Sequence, residues 1–315
     1  MSILPSGLRR RRAPQPRTGA AAVRSTAPSL WPFVLPALAV YVVLYLGPAL
    51  FGVYVSFMRW EGLGSPMTFA GLANYRRMLA DSGMHTVLLN TLLLMVVGLV
   101  GIGIVTLIAM LVLQRMRGRR IVRVVVFVPY LISPIAIGVA FGFLLDPQGL
   151  LNVSLSSLGL DSLRQSWLGP DLVFKCVMAA VTWTLSGLAI VLLLAVIDSI
   201  PASLYESADL AGATAWQRLW YVTLPMSRGV LGVVVTLCLI QLMKVFDIVY
   251  TLTGASGTPP YSARTFAVEQ YVTMSPFGGR PDFGYGSALG VAFVVLVTIL
   301  VVLLRRLLRS EPVEY

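Results

Sequence analysis

Charge is what this sequence has least of. Only 12% of its 315 residues are Asp, Glu, Lys or Arg, roughly half the share usual in a soluble domain. Histidine occurs once, at His85, and cysteine twice, at Cys176 and Cys238. The cysteines lie inside apolar runs and form neither a C-x-x-C pair nor a zinc spacing, so no redox or metal signature is present. An intramembrane enzyme would need clustered His, Cys or carboxylates, and His85 stands alone. The two lysines, Lys175 and Lys244, are both outside any G-x-x-x-x-G-K-[ST] phosphate loop, so the chain has no ATP-hydrolysing engine of its own. Arg9–Arg12 are not followed closely by the short apolar stretch and small-residue cleavage site of a secretory signal.

Apolar residues dominate instead, at 57% with a mean hydropathy of +0.84. No soluble core could bury that much apolar surface, so the lipid bilayer is the natural solvent. The net charge is +11, but the basic residues sit at the ends of apolar runs, not in one patch, which argues against a nucleic-acid partner. Six runs are long enough for the roughly 20 residues that a hydrocarbon core demands: 31–58, 86–113, 121–145, 172–197, 229–251 and 286–304. The fold class is therefore all-α and polytopic. Residues 30–310 form the transmembrane domain, 1–29 a disordered basic tail suited to anionic headgroups, and 311–315 a C-terminal tail.

Arginine placement orients the spans. Arg9–Arg12, Arg17, Arg24, Arg115, Arg117, Arg119, Arg120, Arg123, Arg218, Arg228, Arg305, Arg306 and Arg309 collect on one side, which places both termini in the cytoplasm. Residues 114–120 form a tight basic hairpin there. Residues 59–85, 146–171 and 252–285 face outward. The segment 198–228 is then the longest cytoplasmic connection, and long loops in compact proteins are usually functional.

That loop reads SIPASLYESADLAGATAWQRLWYVTLPMSRG. Ser203 and Glu206 make an S-x-x-E capping box, which predicts a helix start. Ala208, Leu210, Ala211, Ala215, Leu219 and Trp220 form its apolar set. Gly212 serves either close approach of a partner or a break between two short helices. Leu224-Pro225 ends the segment, since proline cannot continue the hydrogen-bond ladder of a preceding helix.

The spacing Glu206-Ser207-Ala208, Gly212, Val222-Thr223-Leu224-Pro225 resembles the E-A-A, three residues, G, nine residues, I-x-L-P loop of permease subunits of binding-protein-dependent ABC importers. Ser207, Val222 and Ala211 depart from the commonest residues of that pattern. The likeness extends over nearly the whole chain from Trp31 and is closest to the first permease of the maltose-type carbohydrate group. Phe69-Ala70-Gly71-Leu72-Ala73-Asn74-Tyr75 matches F-x-G-L-x-N-Y, Asn90-Thr91 an N-T pair, Arg123 with Pro129 an R…P pair, Pro147 to Asn152 a P-x-G-x-x-N segment, and Phe246 to Thr253 F-D-x-x-Y-x-L-T. The resemblance implies a type I importer (MetI-like) fold in a bacterial cytoplasmic membrane. It also implies a second homologous permease, a pair of ATPase subunits holding ATP and Mg, and an extracytoplasmic solute-binding protein. By the same likeness Glu206, Ser207, Ala208, Gly212, Leu224 and Pro225 dock the ATPase, and no cofactor belongs to this chain. Glu206 either offers charge to that partner or caps its own helix, and the two uses are compatible.

Trp183, Lys244 and Asp247 are the leading candidates for the solute path, with Thr182, Thr184 and Ser186 beside Trp183. Lys244 and Asp247 lie one helical turn apart and either line the path or form a structural ion pair. Trp183 either stacks on a sugar ring or packs against a helix. Gly138-x-x-x-Gly142 and Gly286-x-x-x-Gly290 are small-residue faces, for a permease interface or for internal packing. The rival function is an ion-gradient-driven secondary transporter. It calls for carboxylates at mid-membrane, and no apolar run carries one at its centre.

Overall fold

The computed structural model describes residues 31–113, 119–254 and 258–307. The N-terminal tail, most of the 114–120 hairpin and the C-terminal tail lie outside the described residues. The chain divides into two units, 1–48 and 49–315. The first holds α1 (Trp31–Tyr41), a wide π turn at Val42–Leu46 and the start of α2 (Gly47–Val55).

In the second unit a two-residue hairpin follows, β1 (Met58–Arg59) paired antiparallel with β2 (Thr68–Phe69). Then come α3 (Ala73–Ala80), α4 (Ser82–Leu113), α5 (Arg119–Leu131), α6 (Pro134–Leu145), α7 (Leu150–Ser157), α8 (Val173–Ile197), α9 (Ala202–Leu210), α10 (Ala215–Arg218), α11 (Leu224–Met243), α12 (Asp247–Thr253), α13 (Phe266–Met274) and α14 (Phe283–Leu307). Six helical stretches are long and apolar enough to cross a bilayer, and the protein is a multi-pass helical membrane protein. Helices are the expected solution, because lipid offers no partner to an exposed peptide group.

The central element is α8, which packs on α4, α5, α11 and α12. Val177, Ala180 and Val181 from α8 are fully enclosed with Leu94 of α4, Leu242 of α11 and Val249 of α12. Lipid tails are as apolar as leucine, so burial alone does not drive such packing, and close van der Waals approach has to. Glycine supplies it. A Cβ at Gly187 of α8 would lie 2.6 Å from the Val126 carbonyl oxygen of α5, and one at Gly98 of α4 2.6 Å from Leu242. Gly138 abuts Thr251 of α12, and Gly286 and Gly290 abut Met274 and Gln270 of α13. These residues of the two small-residue faces therefore serve internal packing.

Two apolar runs are broken where continuous helices were expected. The 121–145 run divides into α5 and α6 at Ile132-Ser133. Pro134 is the cause, because its ring pushes the preceding residue out of the α region, and Ser133 adopts φ −53° and ψ 130°. The fifth run breaks at Lys244–Phe246, between α11 and α12.

Candidate functional site

The two breaks border one cavity of about 250 Å³. Its walls are Tyr130 and Pro134 beside the first break, Thr184 and Leu185 of α8, Gln241 near the end of α11, and Lys244–Ile248 at the second break. Lys244 caps the C-terminus of α11 and Asp247 is the first residue of α12. The chain turns between them, and of the two alternatives for Lys244 and Asp247 the ion pair does not form. Among the described residues the Lys244, Asp247 and Gln241 side chains have no hydrogen bond or ion pair. Cation, anion and amide thus share one cavity with unused hydrogen-bonding capacity. Trp183 is outside it: its ring packs on Phe141 with centroids 5.7 Å apart, while its neighbour Thr184 faces in. Gln241 went unnoticed in the sequence because it is a single polar residue in an apolar run, whereas Thr184 stands in the polar stretch Thr182–Ser186 around Trp183.

At the other end of α11 the 198–228 segment folds as two short helices. α9 ends at Leu210, Gly212 turns the chain at φ +76°, and α10 begins at Ala215. Positive φ is costly for any side chain with a Cβ, and no atom lies within 4 Å of a Cβ placed at Gly212. The break between two helices is therefore the use of Gly212 that the geometry displays.

The capping expectation is corrected here. Pro201 occupies the N-cap position of α9 with no side-chain cap, and Ser203 is already inside the helix. The capping box belongs to α10: Gln217 N–H donates to Thr214 Oγ1 (3.2 Å) and Thr214 N–H donates to Gln217 Oε1 (2.8 Å). Leu224-Pro225 is also corrected. The backbone stays helical through it, because the wide turn at Leu219–Thr223 loosens the hydrogen-bond ladder just where the proline has no N–H to give.

The loop is braced from below and exposed above. Arg218, nearly buried, donates to Asp209 Oδ1 at 2.6 Å. The Tyr205 and Thr223 hydroxyls are 3.1 Å apart. Arg123 of α5 pairs with Asp198 at 2.6 Å. Glu206 and Ser207 face outward with Gly212, while Ala208, Leu224 and Pro225 are half-buried. Beside them Leu210 is 91% exposed, Tyr221 79%, Trp216 54% and Trp220 47%. The rings of Trp216 and Trp220 meet edge to face at 5.7 Å. Four exposed apolar side chains on one polar loop, two of them in contact, mark an interaction surface.

Comparison with known proteins agrees with this architecture. The chain is 32% identical over 276 residues to a probable ABC transporter permease protein of Pyrococcus horikoshii, covering 86% of this chain and 92% of that one. It is 29% identical to the lactose transport system permease protein LacF of Rhizobium radiobacter, covering 86% and 90%. A crystal structure of a bacterial ABC transporter involved in alginate import contains a chain of the same fold, with a TM-score of 0.76 at 23% identity over 89% of this chain and 94% of that one. Residues 101–310 match the family model described as binding-protein-dependent transport system inner membrane component. An ion-gradient-driven transporter is set aside by that match: this chain belongs to the family of inner-membrane permease components of binding-protein-dependent ABC transport systems.

Proposed function

We propose that this chain forms half of an import path for a carbohydrate or related polyhydroxylated solute, driven by a separate ATPase that docks on residues 206–225. The exposed Leu210, Trp216, Trp220 and Tyr221 cluster on a loop braced by the Arg218–Asp209 pair is the observation that carries the docking. A partner face with its own apolar surface covers that cluster, and Glu206 adds a charge at its edge. The partners in this reading are a second homologous permease, an ATPase pair that binds ATP and Mg, and an extracytoplasmic binding protein. This chain is the non-catalytic component and holds no cofactor. The membrane is the bacterial cytoplasmic membrane, with both termini inside, as the arginine bias requires.

The solute class draws support from two sources. Relatives include a permease named for lactose transport. The cavity presents Lys244, Asp247, Gln241 and Thr184, a set of donors and acceptors suited to hydroxyl groups. Proteoliposomes holding the complete assembly test the coupling. Glu206→Ala is expected to lower uptake several-fold more than ATP hydrolysis, while insertion stays normal. Wild-type uptake per ATP in that variant overturns the docking assignment.

A further inference from the structure

A second cavity, of about 270 Å³, lies between α3, the segment leading into α13, and the start of α14. It shares no lining residue with the cavity at Lys244. Its walls are charged. Arg77 of α3 pairs with Asp282 at 2.7 Å, and Arg264 pairs with Glu269 at 2.9 Å, both partners of the latter being about nine-tenths buried. Arg264 Nε also donates to the Pro259 carbonyl, and its guanidinium lies 4.1 Å from the Tyr261 ring centre. Asp81 accepts from the Gly83 N–H at 2.8 Å.

Two groups remain. Arg280 is exposed and has no ion pair among the described residues. Tyr285 is only 3% exposed, and its hydroxyl is enclosed without a hydrogen-bond partner among the described residues. An orphaned buried hydroxyl is costly, and native structures seldom leave one without a reason.

Donor counting identifies the missing partner. Each guanidinium has five N–H groups. Arg77 uses one on Asp282, Arg264 uses two, and Arg280 uses none on protein groups. Three guanidinium groups and two phenols, of Tyr261 and the orphaned Tyr285, thus confront three carboxylates, two of which are already engaged by arginine. The excess is of donors. The formal charges of the walls balance, so the donor count decides: a cation or an apolar group would leave the spare N–H groups and the Tyr285 phenol stranded. A carboxylate satisfies both the spare N–H groups and the phenol, in the planar geometry that guanidinium prefers.

We propose that this cavity is a carboxylate-binding site, with Arg280 as its unpaired cation and the Tyr285 hydroxyl as the donor at its floor. Arg77 and Arg264 are positioning residues, each held by its own acid. The carboxylate belongs either to a free small anion or to an acidic side chain of a protein partner on this face.

Acetate is the probe. The full chain in lipid nanodiscs is titrated with acetate by saturation-transfer NMR, with ionic strength held constant by chloride. Saturable binding is expected. Arg280→Ala is expected to weaken it about tenfold, Arg280→Lys to retain most of it, and Tyr285→Phe, which keeps the ring under the Arg77 guanidinium at 4.2 Å, to weaken it severalfold. No binding, or equal binding by wild type and Arg280→Ala, overturns the site. Unchanged helical circular dichroism in the variants separates loss of binding from loss of fold. A second arm adds the cognate extracytoplasmic binding protein. Acetate that competes with its association assigns the carboxylate to that partner, and indifference assigns it to a free anion. Only this arm rests on the proposed import function, so the two readings can fail separately.

Discussion

Gly212 offers a test in which two explanations predict opposite orders. Its φ is +76° and a Cβ there would touch nothing within 4 Å. Any penalty for adding a side chain is therefore conformational. The left-handed region costs an ordinary residue about 1–2 kcal/mol, and asparagine less because its side chain can bond locally. A β-branched side chain is worse still. A cost of this size depopulates the folded α9–turn–α10 arrangement by roughly 5- to 30-fold relative to its unfolded alternatives. If backbone conformation is what the loop needs, uptake per ATP hydrolysed falls in the order Gly, Asn, Ala, Val. If the glycine is there to admit a partner surface, side-chain size decides, and the order becomes Gly, Ala, then Asn and Val. Measuring uptake and ATP turnover together in proteoliposomes of the whole assembly, with Gly212→Asn beside Gly212→Ala, separates them. Better coupling in the alanine variant than in the asparagine variant refutes the conformational account.

Other positions give further tests. Asp209→Ala strands the nearly buried Arg218 and is expected to cost the loop about 1–2 kcal/mol, since Asp209 itself is half exposed; amide exchange across 213–217 should accelerate roughly tenfold. Gly187→Val forces a side chain against the Val126 carbonyl and is expected to destabilise the α5–α8 contact by about 1–3 kcal/mol, read as a lower unfolding midpoint in detergent. Lys244→Met removes the free cation from the cavity and is expected to raise the uptake KM several-fold while basal ATP turnover stays unchanged; an unaltered KM removes Lys244 from the solute path.

The parts of this fold that were legible in the sequence are those governed by run length and by charge. The number of spanning stretches, six, is found as expected, since every peptide group in lipid must bond within its own helix, although the third runs over Pro134–Ser157 and not over 121–145. Proline and glycine chemistry was legible only in part. Pro134 stands in Ser133-Pro134 and signals the break that divides α5 from α6, but the apolar run continues on both sides and hides it. The Ser203-x-x-Glu206 pattern pointed to the wrong cap because Pro201 had already opened the helix, and the same pattern recurs unremarked as Thr214-x-x-Gln217, where the chain re-enters a helix after Gly212.

What no local rule could reveal is the work of three asparagines in the matched motifs. Asn74 donates to the Ser56 and Met58 carbonyls, pinning the β1 hairpin. Asn90 donates to the Tyr261 and Arg264 carbonyls, 171 and 174 positions away. Asn152 donates to the Pro147 and Gln165 carbonyls and accepts from Trp167 Nε1. Each amide satisfies backbone groups that lie outside regular helix, where an unpaired carbonyl would be costly. Such partners are set by the tertiary fold, so the motif is visible in the sequence while its physical reason is not.

The same accounting explains why the cavity and the loop belong to one device. Irregular backbone within a membrane is tolerated only where it is enclosed by protein or faces a polar cavity. The helix breaks at Ser133 and at Lys244–Phe246 border the cavity that holds Lys244, Asp247 and Gln241. From the second break the backbone is helical without interruption back through α11, the wide turn and α10 to Ala215, a rod of about 40 Å at 1.5 Å per residue. Its near end carries Trp216 and Trp220 beside the exposed loop, and its far end is Lys244. Under the proposed docking, a displacement of the tryptophans is carried to the cavity wall along continuous helix. The wide turn at Leu219–Thr223 is the one irregularity along the rod. It absorbs the missing N–H of Pro225, and the Tyr205–Thr223 contact ties it to α9. Loop and cavity thus sit at opposite ends of the same helix, with polar side chains left unpaired at its far end.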